Sequence, residues 1–280
     1  MEEVTINSKN KDTVFRRLFY KKEDLLSLYN AVNGTNYDNV GDLEINTLED
    51  GVFINMKNDI SFVFGFELNL YEHQSTKCGN MPLRYLLYVS KLIAGMVEKR
   101  DLYATKAIHI PAPRFVVFYN GEEQLEDKTT VRLSEQFEKK VIPPELELIV
   151  TILNVNENHS PEIMNACKTL KGYSIFVGRI RKNAKKMKIE DAVRMAIDEC
   201  ISEGVIADFL GKHRAEVQEM SVLEYNEELH LKNVHRDGYE EAKAEDMAII
   251  AEKDAMIAQK DATIAELEAR IKQLERQGKN

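Results

Sequence analysis

The sequence contains few cysteines and no long apolar run. Its three cysteines, Cys78, Cys167 and Cys200, lie far apart without a CxxC spacing, which favours isolated thiols in a reducing compartment over disulfides or structural zinc. No segment approaches the roughly 20 consecutive apolar residues that a membrane-spanning helix needs. The first ten residues are polar and lack the apolar core of a signal peptide. We therefore expect a cytoplasmic protein with no membrane attachment.

The sequence also lacks an excess of positive charge. The chain has 38 Lys and Arg residues against 47 Asp and Glu residues, a formal net charge of −9. This balance argues against broad electrostatic binding to nucleic acid, so a contact with a phosphate backbone requires a local basic face. One helical segment offers such a face, formed by Arg179, Arg181, Lys182, Lys185, Lys186 and Lys188. We predict that it holds a DNA backbone, although a solvated helix face is the commoner explanation of such a run.

Apolar periodicity and turn residues predict the elements of the first 160 residues. They are a helix over Thr13–Val32 capped by Asp12, strands at 51–56, 60–64 and 66–74, a helix at 83–99, and strands at 114–119 and 145–155. Asn33-Gly34 is expected to end the first helix. This order of one helix, three strands, one helix and two strands predicts an α/β sandwich in residues 1–160.

The second half of the chain has helical patterns only. Four helical segments are predicted, at 163–170, 173–186, 189–203 and 204–235, with breaks at Gly172 and Gly204. We expect residues 161–243 to form a helical subdomain that follows the α/β core.

A seven-residue repeat occupies the end of the chain. Ile250, Ile257, Ile264 and Ile271 recur every seven residues, and Leu267 and Leu274 follow the last two at a spacing of three. Ile at position a with Leu at position d favours a parallel two-stranded coiled coil, although Lys253 and Lys260 weaken its first heptads. We predict that residues 244–280 form a coiled coil and make the protein a homodimer; the alternative is a solvated single helix.

An acid, Asp59, directly precedes the strand predicted at 60–64, and an acid and an amide, Glu72 and Gln74, lie at the end of the strand predicted at 66–74. A two-residue turn at Gly65-Phe66, with Gly first, suits a type II′ hairpin and places Asp59 opposite Glu72. Gln74 shares the face of Glu72 because strand side chains alternate. Paired carboxylates repel unless a cation lies between them, and oxygen ligands suit Mg²⁺ or Mn²⁺. The spacing therefore predicts a metal site made by Asp59 and Glu72.

Asp59, Glu72 and Gln74 resemble the PD-(D/E)xK phosphodiesterase signature, with Asn58-Asp59 as the PD element and Glu-His-Gln as the ExK element. Gln74 departs from the usual Lys, which would orient the attacking water and stabilise developing negative charge. The sequence words KDTVFRRLF, MKNDISF, LYEHQST, MPLRYLLY and PRFVVFYNG, within residues 11–121, are similar to the Rpn family of recombination-promoting nucleases and putative transposases.

This resemblance implies a restriction-endonuclease-like mixed sheet flanked by helices, and Mg²⁺-dependent (or Mn²⁺-dependent) cleavage of DNA in recombination or transposition. Asp59 and Glu72 would hold the metal, and Gln74 would orient the attacking water. Asp12 resembles the acidic position of the family's first helix, with a helix N-cap as its alternative role. Arg84 and Tyr88 share one side of the following helix and are expected to contact the phosphate or brace the carboxylates; a surface salt bridge is the alternative for Arg84.

Two functions follow from the sequence. The first is a metal-dependent endodeoxyribonuclease, a hydrolase that dimerises through its coiled coil. The second is a catalytically weak or inactive relative that uses the same fold and coiled coil to bind DNA or a protein. Gln74 in place of Lys and the acidic balance favour the second.

Overall fold

The computed structural model describes residues 13–45, 59–97 and 101–277. The chain divides into two compact units, with the boundary between Glu228 and Leu229. The first unit contains a six-stranded mixed sheet and several helices, which confirms the predicted α/β class. None of the helices in the described ranges combines the length and the apolar character that crossing a bilayer demands.

The sheet combines an antiparallel part with a parallel part. Its strands are β1 (Leu43–Ile45), β2 (Ile60–Phe64), β3 (Glu67–Gln74), β4 (Ala112–Tyr119), β5 (Lys128–Arg132) and β6 (Ile149–Asn154), in the spatial order β1-β2-β3-β4-β6-β5. β1, β2 and β3 are antiparallel, whereas β3, β4 and β6 run parallel and β5 forms an antiparallel edge. The start of β2 therefore lies at the same edge as the carboxyl ends of β3, β4 and β6.

Helices cover both faces of this sheet. They are α1 (Val14–Leu18), α2 (Lys22–Asn33), α3 (Met81–Met96), α4 (Pro161–Ala166), α5 (Lys168–Ala184), α6 (Ile189–Ser202), α7 (Ala207–Lys212) and α8 (Arg214–Gln277). α3 packs on one face, where Tyr85, Val89 and Leu92 join the inward residues of the strands. On the other face α1, α2, α4 to α7 and the start of α8 share a second cluster. Apolar burial on both faces is the main stabilising contribution.

The hairpin between β2 and β3 follows the sequence prediction. It turns at Gly65-Phe66, where Gly65 has φ of +58°, a conformation that glycine adopts without steric strain. The register pairs Ile60 with Tyr71, so the preceding residue, Asp59, comes opposite Glu72. Even-numbered residues of β3 up to Gln74 face α3, because Leu68 and Leu70 belong to the cluster under that helix.

The single helix predicted over Thr13–Val32 is wrong. The chain forms two helices there, α1 and α2, and the break buries Phe19 while it leaves Tyr20 exposed. Thr13 caps α1, because its hydroxyl oxygen accepts a hydrogen bond from the Arg16 amide at 3.1 Å. Asp12, the predicted cap, lies outside the described residues. Gly34 ends α2 as predicted, in the left-handed conformation with φ of +65°.

Several predicted strands and helices differ in extent. The strand predicted at 51–56 lies outside the described residues, and the one predicted at 145–155 is shorter, since β6 covers only Ile149–Asn154. The helix predicted at 83–99 begins at Met81 and ends at Met96. β1 and β5 were not predicted. β1 has only three residues, and β5 is a mostly polar edge strand whose residues alternate between exposed and half-buried, so neither produces an apolar run.

Gly172 does not break a helix, in contrast to the prediction. It lies inside α5, where a β-carbon would come within 2.5 Å of the Ile206 side chain, so glycine permits close packing. The break occurs instead at Cys167, between α4 and α5. Gly204 does end a helix, with φ of +73°. The segment predicted as one helix from Gly204 is interrupted at His213, between α7 and α8.

The predicted boundary between residues 160 and 161 does not separate compact units. Helices α4 to α7 bury their apolar sides in the same cluster as α1, α2 and the sheet, so they belong to the same compact unit as the sheet. The boundary lies within α8 instead, and the second unit spans Leu229–Asn280. The segment 244–280, predicted as a coiled coil, is helical up to Gln277, while a coiled-coil partner stays a prediction.

Candidate active site

Asp59 and Glu72 lie at one edge of the sheet, and Glu72 projects to the face covered by α3. Asp59 immediately precedes β2, and its Oδ2 accepts a hydrogen bond of 2.6 Å from the backbone amide of His73 in β3. The neighbouring Glu72 is 7% exposed. The hairpin register and this hydrogen bond therefore place two carboxyl groups side by side, as the spacing predicts.

Burial raises the pKa values of both carboxyl groups above their ordinary values. The pKa of Asp59 is raised from 3.8 to about 7, chiefly by burial and then by the charge of Glu72, while the hydrogen bond from the His73 amide opposes the shift. Burial also raises the pKa of Glu72, against the effects of Arg84 and Gln74. Two neighbouring acids whose pKa values are both raised form a site where a cation would relieve the repulsion.

Gln74 and Arg84 bind the same oxygen of Glu72. The Gln74 Nε2 donates to Glu72 Oε1 at 3.0 Å, and Arg84 Nη2 donates to that oxygen at 2.6 Å. Both side chains also contact the Met81 sulfur, Gln74 Nε2 at 3.0 Å and Arg84 Nη1 at 3.6 Å. Met81 and Arg84 lie in the first turn of α3, so that helix carries a guanidinium to the end of β3. The Arg84 side chain is 35% exposed, which leaves part of it open to solvent.

Tyr88, the other residue of α3 expected to support the site, is packed in the core under the helix and is 5% exposed. Tyr85, on the same helix, lies within electrostatic range of the two carboxyl groups. Burial raises its pKa well above the ordinary value, and the charges of Glu72 and Asp59 contribute to that shift. The Tyr85 hydroxyl donates to the Val116 carbonyl at 2.9 Å, so it braces α3 against β4. Sequence reasoning missed Tyr85 because an apolar helix face carries no signal of this bond.

His73 projects to the opposite face of β3, as the alternation of strand side chains predicts. Its ring stacks on Phe15, with centroids 5.3 Å apart, and its Nε2 lies 3.0 Å from the Tyr173 hydroxyl. Burial lowers the pKa of His73 to about 4, so the ring is neutral near pH 7. The half-buried His73 ring thus packs against Phe15 and Tyr173 on this face.

Asn120 and Gly121 join β4 to this edge of the sheet. The Asn120 amide donates to the Gln74 carbonyl at 3.0 Å. A β-carbon on Gly121 would come within 2.2 Å of the Ser75 carbonyl, so glycine allows the two chain segments to approach. In a sequence an Asn-Gly pair is a turn signal, and it carries no sign of such an approach between distant segments.

Glu224 of α8 was not predicted as part of the site. Its Oε1 accepts a 2.7 Å hydrogen bond from the amide of Val14, at the start of α1. The pKa of Glu224 is raised to about 8, chiefly by burial and also by the charge of Asp59, against the hydrogen bond from the Val14 amide. A third carboxyl group thus lies within electrostatic range of Asp59. Glu224 belongs to no motif, and its 210-position separation from Val14 left no local signal.

The basic cluster is only partly available at the surface. Arg181 is largely buried, with its side chain 12% exposed, and it donates hydrogen bonds to the Asn120 carbonyl and to Glu228, the latter at 3.1 Å. Arg179 pairs with Glu203. The expectation that these two arginines face DNA is therefore wrong, because α5 packs so that each of them pairs with a glutamate. Four members of the cluster are exposed: Lys182, Lys185, Lys186 and Lys188.

Lys182 and Lys185 line a groove of about 1190 Å³ at the carboxyl ends of β4 and β6. The facing loops carry acidic side chains, among them Glu123, Glu126 and Glu157. The lining is thus basic on the α5 side and acidic on the loop side.

The donor set fits a hard divalent cation in chemical type. Asp59 and Glu72 offer carboxylate oxygens, the ligands that Mg²⁺ and Mn²⁺ prefer, and Gln74 offers an amide oxygen. Within residues 13–45, 59–97 and 101–277, no group of three or more His, Cys, Asp or Glu side chains could together hold a metal ion. Asp12, the predicted additional acid, lies outside those ranges.

Comparisons with known proteins found no matching family model, curated protein or solved structure. The resemblance to the Rpn family stays a prediction from the sequence words.

Proposed function

We propose that the protein is a metal-dependent DNA endonuclease with a restriction-endonuclease-like core, acting in recombination or transposition. The observation that carries the proposal is the adjacency of Asp59 and Glu72, two carboxyl groups with raised pKa values on neighbouring strands. The order of α2, three antiparallel strands, α3 and the parallel β4 supports the fold assignment.

Each residue has a defined task in this proposal. Asp59 and Glu72 hold Mg²⁺ or Mn²⁺, which when bound lowers the pKa of a water ligand and stabilises charge on the phosphate. Gln74 orients the attacking water through its amide, and the hydrogen bond from Gln74 Nε2 to Glu72 Oε1 holds that amide in place. The His73 amide fixes the Asp59 carboxyl group against β3. Tyr85 holds α3, and with it Arg84, at a constant distance from the sheet.

A DNA duplex has two strands, and two active sites related by a two-fold axis match its symmetry. We propose that residues 244–280 supply the dimer. Ile250, Ile257 and Ile264 are each more than half exposed in the single chain, and a second helix would bury them. The exposed lysines of the basic cluster, Lys182, Lys185 and Lys186, are proposed to contact the DNA backbone.

A plasmid-nicking assay tests the catalytic proposal. Supercoiled plasmid is incubated with the full-length protein and Mg²⁺ or Mn²⁺, and the isosteric variants Asp59→Asn and Glu72→Gln are compared with it. We expect nicking by the wild type and a fall of at least about 10³-fold in both variants, because each loses a ligand charge. Glu67→Gln is the matched control, since Glu67 lies at the other end of β3 and pairs with Arg114.

A non-cleaving binder is the second candidate. It is favoured by Gln74, which cannot supply the charge of the usual lysine, and by the ion pair between Arg84 and Glu72. Intact plasmid at high protein concentration, together with retarded DNA in a gel-shift assay, would establish the binder and reject the enzyme.

A further inference from the structure

Arg84 occupies the place where a cation would neutralise the paired carboxyl groups. Its Nη2 lies 2.6 Å from Glu72 Oε1, and Glu72 is one of the two proposed metal ligands. The same oxygen accepts the Gln74 amide at 3.0 Å, so one carboxylate oxygen already has two donors. A metal ion that takes this oxygen must displace at least one of them. Of the two, Arg84 carries the positive charge that competes with the ion.

The surroundings of Arg84 permit such a displacement. Arg84 Nη1 lies 3.6 Å from Met81 Sδ, and a thioether sulfur is a weak hydrogen-bond acceptor. The Arg84 side chain is also 35% exposed to solvent. Gln74 is confined by its strand and by Met81, whereas Arg84 extends from the first turn of a surface helix. The long arginine side chain can therefore leave Glu72 without any movement of the sheet.

We propose that Arg84 is a catalytic residue with two positions. It neutralises Glu72 in the metal-free protein, and when a divalent cation takes Glu72 it turns outward to the scissile phosphate, where it supplies the charge that Gln74 lacks. The proposal rests on the proposed nuclease function and names the group that completes it. A guanidinium is suited to the second position because it binds two phosphate oxygens at once.

Cation affinity tests the first position without any cleavage. Mn²⁺ is titrated calorimetrically into the full-length wild type, Arg84→Gln and Arg84→Lys, at about pH 8.5, above the pKa of about 7 of Asp59. Removal of the competing charge is expected to tighten Mn²⁺ binding about tenfold in Arg84→Gln. Arg84→Lys keeps the charge but has a single donor group, so its Mn²⁺ affinity should lie between those of the wild type and Arg84→Gln. Arg114→Gln is the matched control. Arg114 also pairs with a glutamate, Glu67, with 2.6 Å between Nη2 and Oε1, but this pair lies outside the site.

Plasmid cleavage at saturating Mn²⁺ tests the second position. Arg84→Gln should cleave about 10²-fold more slowly than the wild type, although it binds the cation more tightly. A purely structural role of Arg84 would weaken both properties together. The double variant Gln74→Lys, Arg84→Gln replaces the lost positive charge by a lysine on β3. Its cleavage rate should be at least about tenfold higher than that of Arg84→Gln.

The outcomes separate this inference from the proposed function. If the wild type cleaves DNA and folded Arg84→Gln binds Mn²⁺ no more tightly, the displacement is wrong and the nuclease stands. If the wild type cleaves nothing while Arg84→Gln gains affinity, the nuclease fails and Arg84 still competes with the cation. Equal cleavage by Arg84→Gln and the wild type would overturn the second position. Should Arg84→Gln not fold, a Lys variant with unchanged affinity and rate overturns both positions.

Discussion

The Asp59 carboxylate accepts a hydrogen bond of 2.6 Å from the backbone amide of His73. This bond crosses from the residue before β2 to β3, so the side chain is held beside Glu72 by the main chain of the neighbouring strand. The half-buried side chain of His73 packs on the opposite face, against Phe15 and Tyr173. One residue thus ties the acidic edge of the sheet to the core on its other face.

The raised pKa of Asp59 predicts how the metal-free protein responds to pH. Because the native pKa of about 7 exceeds the ordinary 3.8, the folded protein keeps a proton that the unfolded chain has released. The free energy of unfolding contributed by this group therefore falls as the pH rises between these values. Urea unfolding in EDTA at about pH 5 and about pH 8 should show a smaller decrease for Asp59→Asn than for the wild type. Parallel pH dependences would contradict the raised pKa.

The ion pair between Arg181 and Glu228 predicts a large effect of a single substitution. Both side chains are nearly buried, so Glu228→Gln leaves a buried guanidinium without its counter-charge. We expect a loss of about 3 kcal/mol or more in the free energy of unfolding, measured by urea titration. The control is Glu216→Gln, which breaks an exposed pair with Arg17 and should cost below about 1 kcal/mol. A Glu228→Gln variant as stable as this control would show that the buried pair is not formed.

Gly172 predicts a steric penalty. In Gly172→Ala the new methyl group would approach the Ile206 side chain to 2.5 Å, and relief of this overlap is expected to cost about 1 to 3 kcal/mol. Gly178→Ala, in the same helix, meets only Glu157 Oε2 at 3.7 Å and should be neutral or stabilising by up to about 1 kcal/mol. Thermal unfolding of the two variants measures the difference, and equal melting temperatures would contradict the close packing of α5 on Ile206.

The apolar positions of the last helix predict self-association. Substitution of Ile257 and Ile264 by Lys in the full-length chain places charge at positions proposed to face a second helix, so a dimer should dissociate to a monomer. Light scattering measures the molar mass. Ala255→Lys with Gln259→Lys, which adds the same charge outside the a and d positions, should leave the dimer intact. A monomeric wild type would remove the coiled coil from the proposal.

The exposed lysines of α5 and its end predict salt-sensitive DNA binding. The triple variant Lys182→Gln, Lys185→Gln, Lys186→Gln should bind a duplex more weakly, and its affinity should depend less steeply on salt, by about 0.9 in logarithmic slope per lost phosphate contact. The matched control is the triple variant Lys128→Gln, Lys139→Gln, Lys140→Gln, which makes the same change in net charge at other exposed positions. Fluorescence anisotropy over a range of salt concentrations measures both. If both triple variants weaken DNA binding equally, the overall charge of the protein determines its affinity, and the predicted contact of Lys182, Lys185 and Lys186 with DNA is wrong.

The sequence by itself determined the local order of the candidate site. Side chains alternate along a strand and a two-residue loop sets the register, so Asp59, Glu72 and Gln74 could be placed on one face and His73 on the other. Helical spacing put Arg84 on one side of the next helix with Tyr88, and the family resemblance gave Arg84 its expected place near this face. Each of these conclusions depends on residues close together in the chain, where covalent geometry limits the conformations.

Tertiary structure alone decided which groups meet across the fold. Arg181 belongs to a basic run in the sequence, yet α5 packs so that it pairs with Glu228. Glu224 reaches the start of α1, and Gly172 makes room for Ile206, through contacts between segments far apart in the chain. Such contacts depend on how the helices pack over the sheet, because the burial of a charge or a methyl group is a property of the whole core. Local periodicity carries no record of that packing.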